Sequence, residues 1–143
     1  MTMSCRSDKS YNEKAQVIFE TAPLHLKQIT EHTMKLNPEP FAMIKSGMKT
    51  IELRLLDEKR AKIKPGDVIF FTNTYDGEKI STTVIKLHCF NNFEELYKTL
   101  PLLQCGYTFD NVDKAKSSDM EKYYSKEEQR KYGVVGIELC LSK

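Results

Sequence analysis

A chain of 143 residues is long enough for one domain with a real hydrophobic core. Its formal net charge of +2 excludes the global basic field that drives tight non-specific nucleic-acid binding, so any nucleic-acid contact must be local. No apolar run approaches membrane-spanning length and Met1 to Ser10 has no signal-peptide core, so a cytoplasmic protein is expected.

Residues 1–30 read as an N-terminal extension of unknown role. Ala15-Gln16-Val17-Ile18-Phe19 is a short apolar run that fits a strand or half a helix, and Pro23 breaks it. Leu24, Leu26 and Ile29 can pack on a domain surface, while the first ten residues are expected to be disordered.

The compact region starts near Glu31. His32 to Leu36 predicts a short strand, and Asn37 to Pro40 a turn. Phe41, Ala42, Ile44 and Met48 follow helical spacing, with Gly47 as the stop. In Thr50 to Leu55, three polar residues alternate with Ile51, Leu53 and Leu55. Period two predicts a strand with Thr50, Glu52 and Arg54 on one face.

Asp57 to Lys62 is a charged connection, and Lys64-Pro65-Gly66-Asp67 is a strong turn signal. The apolar run Val68-Ile69-Phe70-Phe71 predicts a strand buried on both faces. Tyr75 to Glu78 is a hairpin turn, followed by a long strand from Ile80 to Phe90. Asn92 caps a helix that carries acids in its first turn. Residues 101–112 are irregular, Ser118 to Lys131 is charged and helical, and Gly133 to Leu141 is a last strand. The predicted core includes Ile51, Leu53, Val68, Phe70, Val84, Ile137 and Leu139. About five or six short strands without a βαβ rhythm predict an α+β fold: a small, mostly antiparallel barrel with short helices at its rim.

Cys5, Cys89, Cys105 and Cys140 include no C-x-x-C pair and read as reduced thiols. His25, His32 and His88 have no second ligand at helix or strand spacing. No metal site and no cofactor are expected.

The strip Gly47-Met48-Lys49-Thr50-Ile51-Glu52-Leu53-Arg54 carries the chemistry. Its aliphatic face suits a core. Its polar face sets a carboxylate beside a guanidinium, with Lys49 at the preceding turn. Two cations and one anion on a short ledge suit a polar or anionic ligand; the alternative is a solvated face with a surface ion pair.

This strip, the Lys64 to Phe71 turn and strand, the Phe93-Glu94-Glu95-Leu96 helix, and the closing Met120 to Ser125 and Tyr132 to Ile137 segments occur in that order. The set resembles the ASCH domain of the PUA-like superfamily, over roughly residues 31–141. The resemblance implies that residues 31–143 form a PUA-like β-barrel with a cleft between barrel and helices. It implies that the G-x-K-x-x-E-x-R residues line the cleft, and that single-stranded RNA or a nucleotide-like ligand is the partner.

Under that reading the ligand-binding candidates are Lys49, Thr50, Glu52, Arg54, Tyr124 and Ser125. Lys49 suits a phosphate contact, Arg54 a two-point contact to phosphate or a base edge, and Glu52 an exocyclic amine. Tyr124 suits base stacking, whereas Tyr123 and Tyr124 also suit anchoring of a rim helix. One ASCH branch resembles an amidohydrolase of acetylated cytidine that uses a lysine, a threonine and a glutamate. Its threonine stands three residues after the lysine, where this chain has Glu52. If the chain is an enzyme, Lys49 would be an electrostatic clamp and Glu52 the proton-transfer group. Three functions follow: an RNA- or nucleotide-binding module, a small hydrolase of a modified nucleoside or RNA, or a protein-interaction accessory domain. The oligomeric state is not legible.

Overall fold

The structure is a computed structural model that describes residues 28–142. The expectations for residues 1–27 lie outside the described residues. The elements run β1 (Glu31–Leu36), α1 (Pro38–Ser46), β2 (Ile51–Leu55), a 3-10 turn (Arg60–Lys62), β3 (Val68–Asn73) and β4 (Lys79–Phe90). Then come α2 (Phe93–Thr99), short 3-10 turns at Leu102–Gln104, Val112–Lys114 and Ser117–Lys122, α3 (Lys126–Tyr132) and β5 (Val134–Leu141).

Local chemistry sets most of these boundaries. Pro38 stands at the start of α1, where a missing N–H costs nothing. Gly47 ends that helix in the left-handed region, φ 85°, which only glycine enters freely. Asn92 caps α2 by accepting from the Glu95 amide at 2.9 Å. Asp67 ties the Lys64-Pro65-Gly66-Asp67 turn by accepting from the amides of Lys64 at 2.9 Å and Thr30 at 3.1 Å. It also faces His32 Nε2 at 2.9 Å.

The five strands form one sheet in the order β1-β3-β4-β5-β2. β1 and β3 are parallel, and the other three pairs are antiparallel. A register shift between Val84 and Lys86 interrupts the β4–β5 ladder, an irregularity of the kind that bends a strand. The sheet curls far enough for its two edges to meet through a side chain: Arg54 on β2 donates from Nη2 to the Lys35 carbonyl on β1 at 2.8 Å. The α+β class and the mostly antiparallel barrel-like sheet agree with expectation. The barrel is closed by this side chain, not by a backbone ladder.

Two cores result. Inside the curl, Met34, Leu36, Phe41, Ile44, Ile69, Phe71, Val84, Val135, Ile137 and Leu139 pack together. Outside it, Ile51, Leu53 and Leu55 pack with Phe93, Leu96, Leu100, Cys105 and Val134. The aliphatic face of β2 is thus covered by α2, and its polar face turns the other way. Gly136 permits this layer: a Cβ there would sit 2.6 Å from Leu100 Cδ1 and 3.1 Å from Ile51 Cγ2.

Three expectations need correction. Val68 and Phe70 are only half-buried; Ile69 and Phe71 are the buried pair of β3. The second core covers β2 and the start of β5 and leaves the outer face of β3 less protected. The helix expected over 118–131 is two pieces. Ser125 breaks it by starting α3 with a capping box, its hydroxyl accepting from the Glu128 amide at 3.1 Å. Finally, Cys105 and Cys140 are free thiols, but Cys89 is disulfide-bonded.

Candidate functional site

Three charges from one short stretch converge on β2. Gly47 turns the chain out of α1, and the Lys49 amide donates to the Met43 carbonyl at 3.0 Å, which sets Lys49 at the strand entrance. Lys49 Nζ lies 2.8 Å from Glu52 Oε1. Arg54 Nε lies 2.6 Å from Glu52 Oε2. Glu52 and Arg54 share a face because they stand two apart on a strand. All three side chains are withdrawn from solvent, with 10% of Lys49, 5% of Glu52 and 13% of Arg54 exposed. This is a buried triad, not the solvated ledge that a pattern of charges suggests by default.

Burial alone would push the Glu52 carboxyl up; the facing Lys49 and Arg54 outweigh it and hold the pKa below its ordinary value. Desolvation alone would lower Arg54, and the Glu52 carboxylate reverses that and raises it. Glu52 and Arg54 are therefore ionised, and by formal charge the triad carries one net positive charge. Glu52, with both oxygens engaged by cations, is a weak proton acceptor.

The triad forms one wall of a pocket of about 620 Å³. The β1–α1 junction forms a second wall through Lys35, Asn37 and Glu39. The segment from the end of α2 to Tyr124 forms the third, with Tyr97, Cys105, Tyr107, Asp119 and Tyr124. Lys49 reaches the pocket along Gly106, where a Cβ would meet Lys49 Cδ at 3.5 Å. Tyr124 stacks on Phe93, with ring centroids 5.9 Å apart and 20° between planes. Buried Gln129 holds it there: its side-chain Nε2 donates to the Tyr124 carbonyl at 3.3 Å and its Oε1 accepts from the Phe93 backbone amide at 3.2 Å. Burial raises the Tyr124 phenol above its ordinary value despite the nearby Arg54. The Cys105 thiol is pushed up to about 12 by burial, with Lys49 opposing.

Of the sequence candidates, Lys49, Glu52, Arg54 and Tyr124 line the pocket. Thr50 and Ser125 are not among its lining residues. The Thr50 hydroxyl donates to Gln104 Oε1 at 3.3 Å, and Ser125 is occupied as the α3 cap. Tyr97, Tyr107, Asp119 and Lys35 were not anticipated. They reach the pocket from remote positions, and no spacing within the sequence links them to β2.

Comparison with known proteins places the fold. The sequence model of the ASCH domain matches residues 34–142. The hypothetical protein PH0355, solved by crystallography, is 32% identical over 79% of this chain and 100% of its own, with a TM-score of 0.65. Protein PF0455 from Pyrococcus furiosus, solved in solution by NMR, is 34% identical over 80% of this chain and 99% of its own, with a TM-score of 0.63. An ASCH protein from Zymomonas mobilis shares the fold at 15% identity over 78% of this chain and 69% of its own, with a TM-score of 0.56. No curated protein matches. No helix among the described residues is long and apolar enough to cross a membrane.

Proposed function

This chain belongs to the ASCH domain family, and on that premise we propose that it is a binding module for single-stranded RNA or nucleotide-like ligands, with the pocket beside β2 as its site. The observation that carries this reading is the open pocket lined by both a buried, net-cationic triad and tyrosines. Its volume of about 620 Å³ falls within the span of ordinary small-ligand sites, roughly 300–1,000 Å³. Lys49 and Arg54 supply charge for a phosphate. Tyr124 supplies a ring at the pocket wall for a base. Lys35, Lys49, Arg54 and Lys122 exceed Glu39, Glu52 and Asp119 by one charge, a mixture that suits one or two nucleotides and not a duplex.

Two alternatives are less favoured. A protein-interaction domain with a vestigial cleft predicts a filled cleft, and this one is open. A hydrolase using Glu52 for proton transfer needs a carboxylate that takes up protons near neutral pH, and the two facing cations oppose that. Titration of isotope-labelled protein with nucleoside monophosphates, followed by NMR, tests the binding reading. Shifts should cluster at Lys49, Glu52, Arg54 and Tyr124; shifts confined to the opposite end of the sheet would refute the site.

A further inference from the structure

Besides the triad, the pocket lining contains a hydrogen-bonded relay whose direction is set by charge. Tyr107 Oη donates to Asp119 Oδ2 at 2.8 Å. The Lys116 amide donates to the same oxygen at 3.2 Å. Asp119 is held below its ordinary pKa, first of all by the Tyr107 hydrogen bond, so it is an ionised carboxylate that can only accept. Tyr107 has one hydroxyl proton, and its hydrogen bond to Asp119 commits it. Tyr97 Oη lies 2.7 Å from Tyr107 Oη. The proton in that contact must therefore come from Tyr97. Among the described residues Tyr97 Oη has no other hydrogen-bond partner. Its donor is spent, and only lone pairs remain. The two rings meet edge to face, 5.8 Å between centroids and 80° between planes, which restrains both hydroxyls.

Resting on the nucleotide-binding reading above, we propose that Tyr97 is a specificity-determining residue of the pocket, an obligate acceptor that selects a base presenting an exocyclic amine over one presenting an oxo group. An amine meets the Tyr97 lone pairs with an N–H. An oxo group at the same place sets two acceptors against each other and leaves both without a donor. The wall thus complements the triad: cationic donors on β2 for the acidic end of the ligand, an oriented acceptor for the base.

Two matched pairs differ in this group, AMP against IMP and CMP against UMP. Calorimetric titration of the intact protein at low salt should give at least one pair in which the amine is preferred by about tenfold, the worth of one hydrogen bond. Tyr97→Phe should bring that ratio close to one. Tyr107→Phe should do the same by a different route, because the Tyr97 hydroxyl is released from its partner and can turn to donate. Both substitutions keep the ring, so a change in the ratio is not a packing effect. Equal affinity within both pairs, or a preference unchanged in Tyr97→Phe, overturns this inference and leaves nucleotide binding standing. Absence of binding by all four nucleotides overturns the nucleotide reading, and this inference falls with it.

Discussion

Arg54 joins the two edges of the sheet to Lys35: its Nη2 donates to the Lys35 carbonyl at 2.8 Å while its Nε holds Glu52 at 2.6 Å. One guanidinium therefore closes the curl and neutralises a buried carboxylate. Removing it leaves Glu52 with Lys49 alone and strips the β1–β2 gap of this bridge. Breaking a buried pair on one side costs about 3–5 kcal/mol. Arg54→Ala should lower unfolding free energy in urea by about 3 kcal/mol, at the low end of that range because Lys49 remains. Arg54→Lys should recover only part, since an ammonium cannot span both partners as a fork does. A loss below about 1 kcal/mol for the alanine variant would show that the bridge is dispensable.

Glu52 predicts an acid-side signature. Its folded pKa lies below the ordinary value of 4.5, so its contribution is fully present above the unfolded-state pKa. That contribution is lost as pH falls through the lower folded value. Wild-type stability should therefore drop more steeply with acidification below about pH 4.5 than that of Glu52→Gln. At neutral pH the Gln variant should be less stable, because Lys49 and Arg54 then face each other without a carboxylate. Parallel pH profiles for the two proteins would mean that folding does not lower the Glu52 pKa.

Gly136 reads as an ordinary strand glycine, yet it admits α2 to the sheet. Gly136→Ala places a methyl 2.6 Å from Leu100 Cδ1 and 3.1 Å from Ile51 Cγ2. Overpacking of this kind costs roughly 1–3 kcal/mol. Adding Leu100→Ala should return part of the Gly136→Ala loss, a coupling seen in a double-mutant cycle. Strict additivity of the two changes would argue against a clash there.

Much of the fold was legible because the signals are local. Alternation found β2, Gly47 and Asn92 marked helix ends, and the Pro65-Gly66 turn announced β3. The break at Ser125 was also legible: Ser125-Lys126-Glu127-Glu128 is a capping-box pattern inside a charged stretch, easily mistaken for continuous helix. Burial of Val68 and Phe70 was not legible, because an apolar run does not say which face another layer covers. In the site, Lys49, Glu52 and Arg54 follow from spacing two and three apart. Tyr97, Tyr107 and Asp119 join the triad in one pocket lining only through tertiary folding. The disulfide state of Cys89 likewise had no local signature.

The free thiols should separate by reactivity. Cys140 is exposed, whereas Cys105 is buried with its pKa pushed up to about 12. The thiolate is the reactive form, so Cys105 carries very little of it at neutral pH. Alkylation of the folded protein followed by mass spectrometry should label Cys140 first and Cys105 only on unfolding. Equal labelling rates would mean that the α2 layer opens readily.

Binding of single-stranded RNA across a salt series tests the central claim most directly. A pocket with two or three phosphate-contacting cations, each contributing about −0.7 to the slope of log affinity against log salt, should give a total slope of roughly −1 to −3. Affinity should be measurable at low salt, weaken along that slope, and exceed affinity for duplex DNA. No detectable binding of any single-stranded RNA or nucleotide at low salt would contradict the account.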